Sequence, residues 1–91
     1  MSLTYKETAN QIIITLNTEA YYRQVAFKKS QFVGYKLRYD KHSYDDNQLI
    51  EFYLHTGTTV SMAFISKLED RYHWLCEQLN GVLDMNEKKN A

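Results

Sequence analysis

The 91-residue sequence is 44% hydrophobic and 14% aromatic, a composition that predicts a folded chain. Eleven basic and eleven acidic side chains give a formal net charge of zero, so no global field attracts the protein to nucleic acid or anionic lipid. No apolar run approaches the ~20 residues of a membrane span, and a single cysteine excludes an internal disulfide. We therefore expect one cytoplasmic domain over residues 1–91, with an ordered core at about 9–83 and a frayed tail at 84–91.

The hydrophobic patterning predicts an α+β fold, with an antiparallel sheet of about five strands followed by one C-terminal amphipathic helix packed on it. The strands are predicted at 11–16, 20–27, 32–39, 49–54 and 59–64. In the third strand Lys36 and Arg38 are expected to face outward, and Gly34 indicates a mild kink or, as the alternative, a bulge. The opposite, core-facing row of that strand is Val33, Tyr35, Leu37 and Tyr39.

The C-terminal part of the chain predicts a hairpin and then a helix. Gly57 lies in the short polar gap between the last two strands, which is typical of a hairpin turn. Ser66 and Glu69 form a capping-box pattern that predicts the start of the helix, and Gly81 either ends it or weakens its last turn. Apolar residues at spacings of four and three define one buried stripe, namely Leu68, Tyr72, Leu75, Leu79 and Val82.

Trp74 lies roughly 120° from the centre of that stripe, on the flank of the helix or outside it. Because off-stripe tryptophans are common interface hot spots, we predict a partner-binding surface that uses Trp74, His73 and Tyr53. The alternative is that Trp74 folds over the edge of the sheet and completes a small core.

The segment 21–42 holds six cations against one acid, Asp40. These cations are Arg23, Lys28, Lys29, Lys36, Arg38 and Lys41. Aromatic residues are interleaved with them, a composition that suits single-stranded nucleic acid through stacking and phosphate contacts. On the third strand, however, Tyr35 and Tyr39 point away from the cations, which favours a core role for both rings. Nucleic-acid binding is therefore the alternative to a protein partner.

The residue types of a catalytic or metal site are scattered. His42, His55 and His73 lack the spacing of a zinc site, and no cysteine pair accompanies them. Cys76 follows His73 by three residues, as a nucleophile and its base would, but the helical pattern places it on the apolar edge. We therefore expect Cys76 to be a buried small hydrophobe, and we expect no enzymatic activity, no cofactor and no metal.

The arrangement of strand 49–54, the turn around Gly57, strand 59–64 and the capped helix resembles the closing portion of bacterial pleckstrin-homology-like domains. In that family a strand pair joined by a glycine turn leads into one helix that plugs the sheet. Such domains use more strands than the five predicted here, and no functional residue is transferred. The resemblance implies a small binding or assembly module.

The sequence thus predicts a small non-catalytic interaction module that acts through protein–protein contacts. The expected form is a homodimer, because a chain of this length is near the size where self-association supplements a single core. A regulator or an inhibitor is the expected role. The alternative function is nucleic-acid binding by segment 21–42.

Overall fold

The computed structural model describes residues 2–19, 21–39, 48–64 and 69–89. The described elements, in chain order, are β1 (Ser2–Glu7), β2 (Gln11–Asn17), β3 (Tyr22–Lys28), a 3-10 helix (Lys29–Gln31), β4 (Phe32–Tyr39), β5 (Gln48–Leu54), β6 (Thr59–Phe64) and α1 (Glu69–Lys89). The α+β class is confirmed. Lys41, His42 and the capping-box residue Ser66 lie outside the described residues. Among the described residues, no helix is both long and apolar enough to cross a membrane.

The strands form two three-stranded antiparallel sheets, in the orders β1-β2-β3 and β4-β5-β6, instead of the single five-stranded sheet predicted. The difference begins with β1, which the sequence pattern did not reveal. This strand pairs with β2 along its length, with Leu3 opposite Leu16 and Tyr5 opposite Ile14. Its few apolar residues are a weak local signal, and its ladder partner is what holds it in the sheet.

The register of β4 shifts between Phe32 and Gly34, so the bulge is present and the simple alternation is wrong at the start of this strand. Phe32 is 1% exposed, whereas Val33, predicted to face the core, is 54% exposed. A bulge adds one residue to a strand and thereby reverses which residues face inward on either side of it. After the bulge, Tyr35 and Leu37 pack against the core as predicted.

One cluster of buried apolar side chains joins both sheets and the helix. Its members are Leu3, Ile12, Ile14, Leu16, Val25, Phe27, Phe32, Ile50, Phe52, Met62, Leu75, Leu79 and Val82. Burial of each such side chain contributes roughly 1.5–3 kcal/mol, so this cluster is the main stabilising feature of the fold. The helix contributes Leu75, Leu79 and Val82, as its stripe predicted, and continues through Gly81 to Lys89.

The hairpin between β5 and β6 is confirmed. Gly57 has a φ of 89°, the left-handed conformation that glycine adopts without steric cost. The backbone N–H of Leu54 donates to the carbonyl of Thr58 over 3.0 Å, and the N–H of Gly57 donates to the carbonyl of Leu54 over 2.9 Å. At the junction of the two sheets, the Arg23 guanidinium donates to the carbonyl of Ser61 over 3.3 Å.

Candidate interaction surface

Trp74 packs against the edge of the core. Its indole ring meets the ring of Tyr5 edge-on, with centroids 6.1 Å apart and planes at 89°. Tyr5 belongs to β1, which is an edge strand of its sheet. Trp74 therefore covers the core at that edge. This is the core-completing role that the sequence offered as the alternative. His73, the next residue back on α1, is exposed, and a partner contact by either residue stays a prediction.

Tyr53 lies on the outer face of the second sheet. Its hydroxyl donates to the Glu51 carboxylate over 3.4 Å, and the Arg38 guanidinium pairs with the same oxygen. The hydrogen bond that Arg38 donates to the Tyr53 oxygen and the negative charge of Glu51 raise the pKa of Arg38. Because Trp74 packs on β1, in the other sheet, the predicted trio of Trp74, His73 and Tyr53 does not form one patch.

The basic segment is divided between several places. Arg23 is engaged with β6, and the ammonium of Lys29 lies 3.4 Å from the Glu7 carboxylate. Lys36 stands opposite Glu51 in the ladder, beside Arg38 on the outer face of the second sheet. Lys28 is exposed and borders a cleft beside α1 instead. The described cations therefore do not line one continuous face.

Two adjoining clefts lie where the 3-10 helix faces the C-terminal half of α1. The first, with a volume of about 640 Å³, we call the lysine cleft; it is bordered by Lys28, Lys29, Glu77, Gly81, Met85 and Lys89, among others. The second, with a volume of about 550 Å³, we call the valine cleft; it is bordered by Phe32, Val33, His55, Leu83 and Glu87. Ser30 and Asn86 border both clefts, so the two lie side by side, and we call them together the groove.

Asn86 fixes the geometry of this groove. Its side-chain amide donates to the backbone carbonyls of Lys29 over 2.7 Å and Phe32 over 3.1 Å. These bonds join α1 to the connection between the sheets and hold the two walls of the groove at a set distance. A site placed on such rigid elements can be specific for its ligand.

Exposed apolar side chains mark the groove. Among the described residues, the large hydrophobic side chains that are exposed are Tyr21 (36%), Tyr22 (62%), Val33 (54%) and Met85 (56%). Met85 borders the lysine cleft and Val33 borders the valine cleft. The sequence pattern indicates neither as exposed, because Met85 falls in the predicted polar tail and Val33 in the predicted core-facing row of its strand. A four-residue spacing of Gly81, Met85 and Lys89 on one helix face was the available signal.

Cys76 is a free thiol, half-buried rather than fully buried as expected, on the face of α1 next to Tyr35. Burial is the largest cause that raises the pKa of Tyr35 to about 12, and the neighbouring Cys76 thiol adds to the increase. The Tyr35 hydroxyl donates to the side-chain oxygen of Asn80 over 2.9 Å. This set of contacts fastens β4 to α1.

Among the described residues, no group of three or more His, Cys, Asp or Glu side chains is placed to hold a metal ion. The structure thus defines a small α+β protein with two three-stranded sheets, one closing helix and a groove beside that helix. A comparison with protein-family models, with curated proteins and with solved structures finds no match to this chain.

Proposed function

We propose that this chain is a small non-catalytic interaction module of the cytoplasm that acts through protein–protein contacts, as a homodimer. One observation carries the proposal: Val33 and Met85, both more than half exposed, border two adjoining clefts on the same side of the molecule, one residue in each. Apolar side chains exposed beside a concave, polar-rimmed surface mark places where another protein docks. A regulator or an inhibitor is the role that we propose for this module.

The likeness to bacterial pleckstrin-homology-like domains belongs to the same proposal. The glycine turn at Gly57 between β5 and β6, followed by a helix that packs into the core, supports it. This likeness would place the chain among small binding or assembly modules, a class that agrees with the presence of the groove.

Nucleic-acid binding has less support than a protein partner. Binding to nucleic acid requires unpaired Lys and Arg side chains along a common path, where they neutralise phosphates and displace the counterions of the nucleic acid. Here Lys29 and Arg38 are each paired with a carboxylate, and Arg23 is held against β6. A preparation that binds nucleic acid is therefore an outcome of the test and not a second proposal.

The test is the solution mass of the purified chain by light scattering, at low and high salt, with the absorbance ratio as a check for nucleic acid. A dimer that persists in high salt and is free of nucleic acid supports the proposal, because apolar contacts are not screened. A monomer that carries nucleic acid until salt removes it would overturn it and put segment 21–42 first.

A variant localises the contact to the groove. Val33→Lys places a charge in the valine cleft, and the expected result is weaker association with unchanged folding by circular dichroism. The matched control is Tyr22→Lys, since Tyr22 is similarly exposed but lies on β3, outside both clefts. Equal weakening by the two variants would count against the groove.

A further inference from the structure

The side of α1 that borders the lysine cleft carries an unusual stripe of residues, spaced four apart. We call it the α1 stripe; it consists of Glu77, Gly81, Met85 and Lys89. All four are exposed. At a rise of 1.5 Å per residue, an acidic end and a basic end are separated by about 18 Å, with a glycine and a methionine between them.

Close packing within the described part of the chain does not require a glycine at position 81. It lies inside the helix, where glycine is less favourable than alanine by about 1 kcal/mol. Yet a Cβ added at Gly81 would have open space around it, with no heavy atom within 4 Å in the described part of the chain. Neither a turn conformation nor a close internal neighbour therefore explains the missing side chain, which leaves room for a group that approaches from outside.

The α1 stripe is complementary to itself. If two α1 helices pack about a two-fold axis at the level of residue 83 and cross at about 50° from antiparallel, so that their rows of residues spaced four apart align, Gly81 faces Met85 of the second copy and Glu77 lies beside Lys89 of the second copy. A two-fold interface requires this reciprocity, because each contact is made twice. Met85, 56% exposed and flexible, has the size and adaptability to fill the space above Gly81.

Charge also favours this pairing. Neither Glu77 nor Lys89 forms an ion pair with another described residue, in contrast to Lys29 and Glu7 on the facing wall of the cleft. In the antiparallel arrangement, Glu77 and Lys89 each meet the opposite charge on the second copy. If the second helix ran parallel instead, like charges would face each other.

We infer that the occupant of the lysine cleft is the α1 helix of a second copy of this chain, packed antiparallel along the α1 stripe. This inference rests on the proposed function: it takes the proposed homodimer and specifies which surface forms its interface. The central contact is Met85 on Gly81 of the second copy, made twice, and the Glu77–Lys89 pairs at both ends fix direction and register.

Sedimentation equilibrium of the full chain at low salt tests the inference with charge variants. Glu77→Lys and Lys89→Glu each replace two attractive pairs by two repulsive ones, so each is expected to raise the dimer Kd about tenfold or more. The double variant Glu77→Lys/Lys89→Glu restores opposite charges and should return the Kd to within about threefold of wild type. The matched control is Asp84→Lys, a change from acid to base at an exposed position of the same helix that borders neither cleft.

A steric variant tests the centre of the interface. The ring introduced by Gly81→Phe would occupy the space that Met85 of the second copy fills in the inferred dimer. We expect this variant to raise the dimer Kd at least tenfold while circular dichroism shows that the helix is still folded. A Kd unchanged by Gly81→Phe would overturn the inference.

The experiments distinguish failure of the α1 interface from failure of the proposed homodimer. A dimer whose Kd responds to none of the α1 variants, or whose double variant stays as weak as the single ones, would overturn the α1 interface and leave the homodimer standing. A chain that stays monomeric at all concentrations would overturn both.

Discussion

The side-chain amide of Asn86 on α1 donates a 2.7 Å hydrogen bond to the backbone carbonyl oxygen of Lys29 in the 3-10 helix. A second donation, to the carbonyl of Phe32, spans the end of the 3-10 helix and the start of β4. One side chain near the end of the chain therefore anchors the connection between the two sheets. Asn86 also lies where the lysine cleft and the valine cleft adjoin.

We expect Asn86→Ala to lower the free energy of unfolding by about 1–3 kcal/mol, because two half-buried carbonyl groups lose their donor. Asn86→Asp should cost more, since it places a negative charge against both carbonyl oxygens. Urea denaturation monitored by circular dichroism measures both changes. The control is Asp84→Ala, an exposed position two residues earlier, where a change within about 0.5 kcal/mol is expected. Equal values for Asn86→Ala and the control would mean that these bonds do not stabilise the fold.

The contact between Trp74 and Tyr5 leads to a second prediction. Trp74→Ala should destabilise the chain by about 2–3 kcal/mol, below the cost for a fully buried tryptophan because the indole is half-buried. In a double-mutant cycle with Tyr5→Ala, the edge-on ring pair should give a coupling of about 0.5–1.5 kcal/mol. Trp74→Ala that leaves stability unchanged but abolishes association would instead support the partner anchor that the sequence predicted.

Local patterns predicted much of the fold because each depends on a few neighbouring residues. The helix stripe at Leu75, Leu79 and Val82 and the turn at Gly57 are examples. The division into two sheets depends on pairing between distant segments, which periodicity does not report. The bulge after Phe32 shows the same limit, since the register of β4 is set by its ladder with β5.

The candidate surface was harder to predict than the fold. The position of Trp74 off the apolar stripe predicts a surface role, but that position faces β1, a strand that the pattern does not reveal. The exposure of Met85 is hidden in the sequence by its polar neighbours, and that of Val33 by a bulge that simple alternation does not predict. Whether an apolar side chain is exposed depends on whether distant parts of the chain pack over it, and local sequence patterns do not report tertiary packing.

The glycines give a third prediction, with opposite signs at two positions. Gly81→Ala should raise the free energy of unfolding by about 0.5–1 kcal/mol, since the added methyl group meets open space and the helix interior gains a better residue. Gly57→Ala is the control and should lower the free energy of unfolding by about 1 kcal/mol, because the turn requires a φ of 89°. Thermal and urea unfolding at a concentration where the chain is monomeric measure both. A loss of stability in Gly81→Ala would reveal a packing role for Gly81 that its surroundings do not show.

The buried side of Tyr35 gives a fourth prediction, a dependence of stability on alkaline pH. Burial and the neighbouring Cys76 raise the pKa of Tyr35 from 10.0 to about 12 in the folded chain. The folded state therefore holds this proton more tightly than the unfolded state does. The resulting stability is present in full below pH 10 and is lost as the pH rises from 10 to about 12, because the unfolded chain ionises first.

Tyr35→Phe removes the titrating group and should make this alkaline fall in stability shallower. At neutral pH the variant should be less stable by about 0.5–1.5 kcal/mol, since the hydrogen bond to Asn80 is lost. Urea denaturation of both proteins across the alkaline range measures the difference in slope, and phenolate absorbance of the folded wild type should show a late-titrating component that Tyr35→Phe lacks. Burial and the nearby Glu7 charge also raise the pKa of Tyr5, so the fall is reduced and not abolished. Parallel pH profiles for the wild type and Tyr35→Phe would show that the Tyr35 hydroxyl is as well solvated in the folded chain as in the unfolded one.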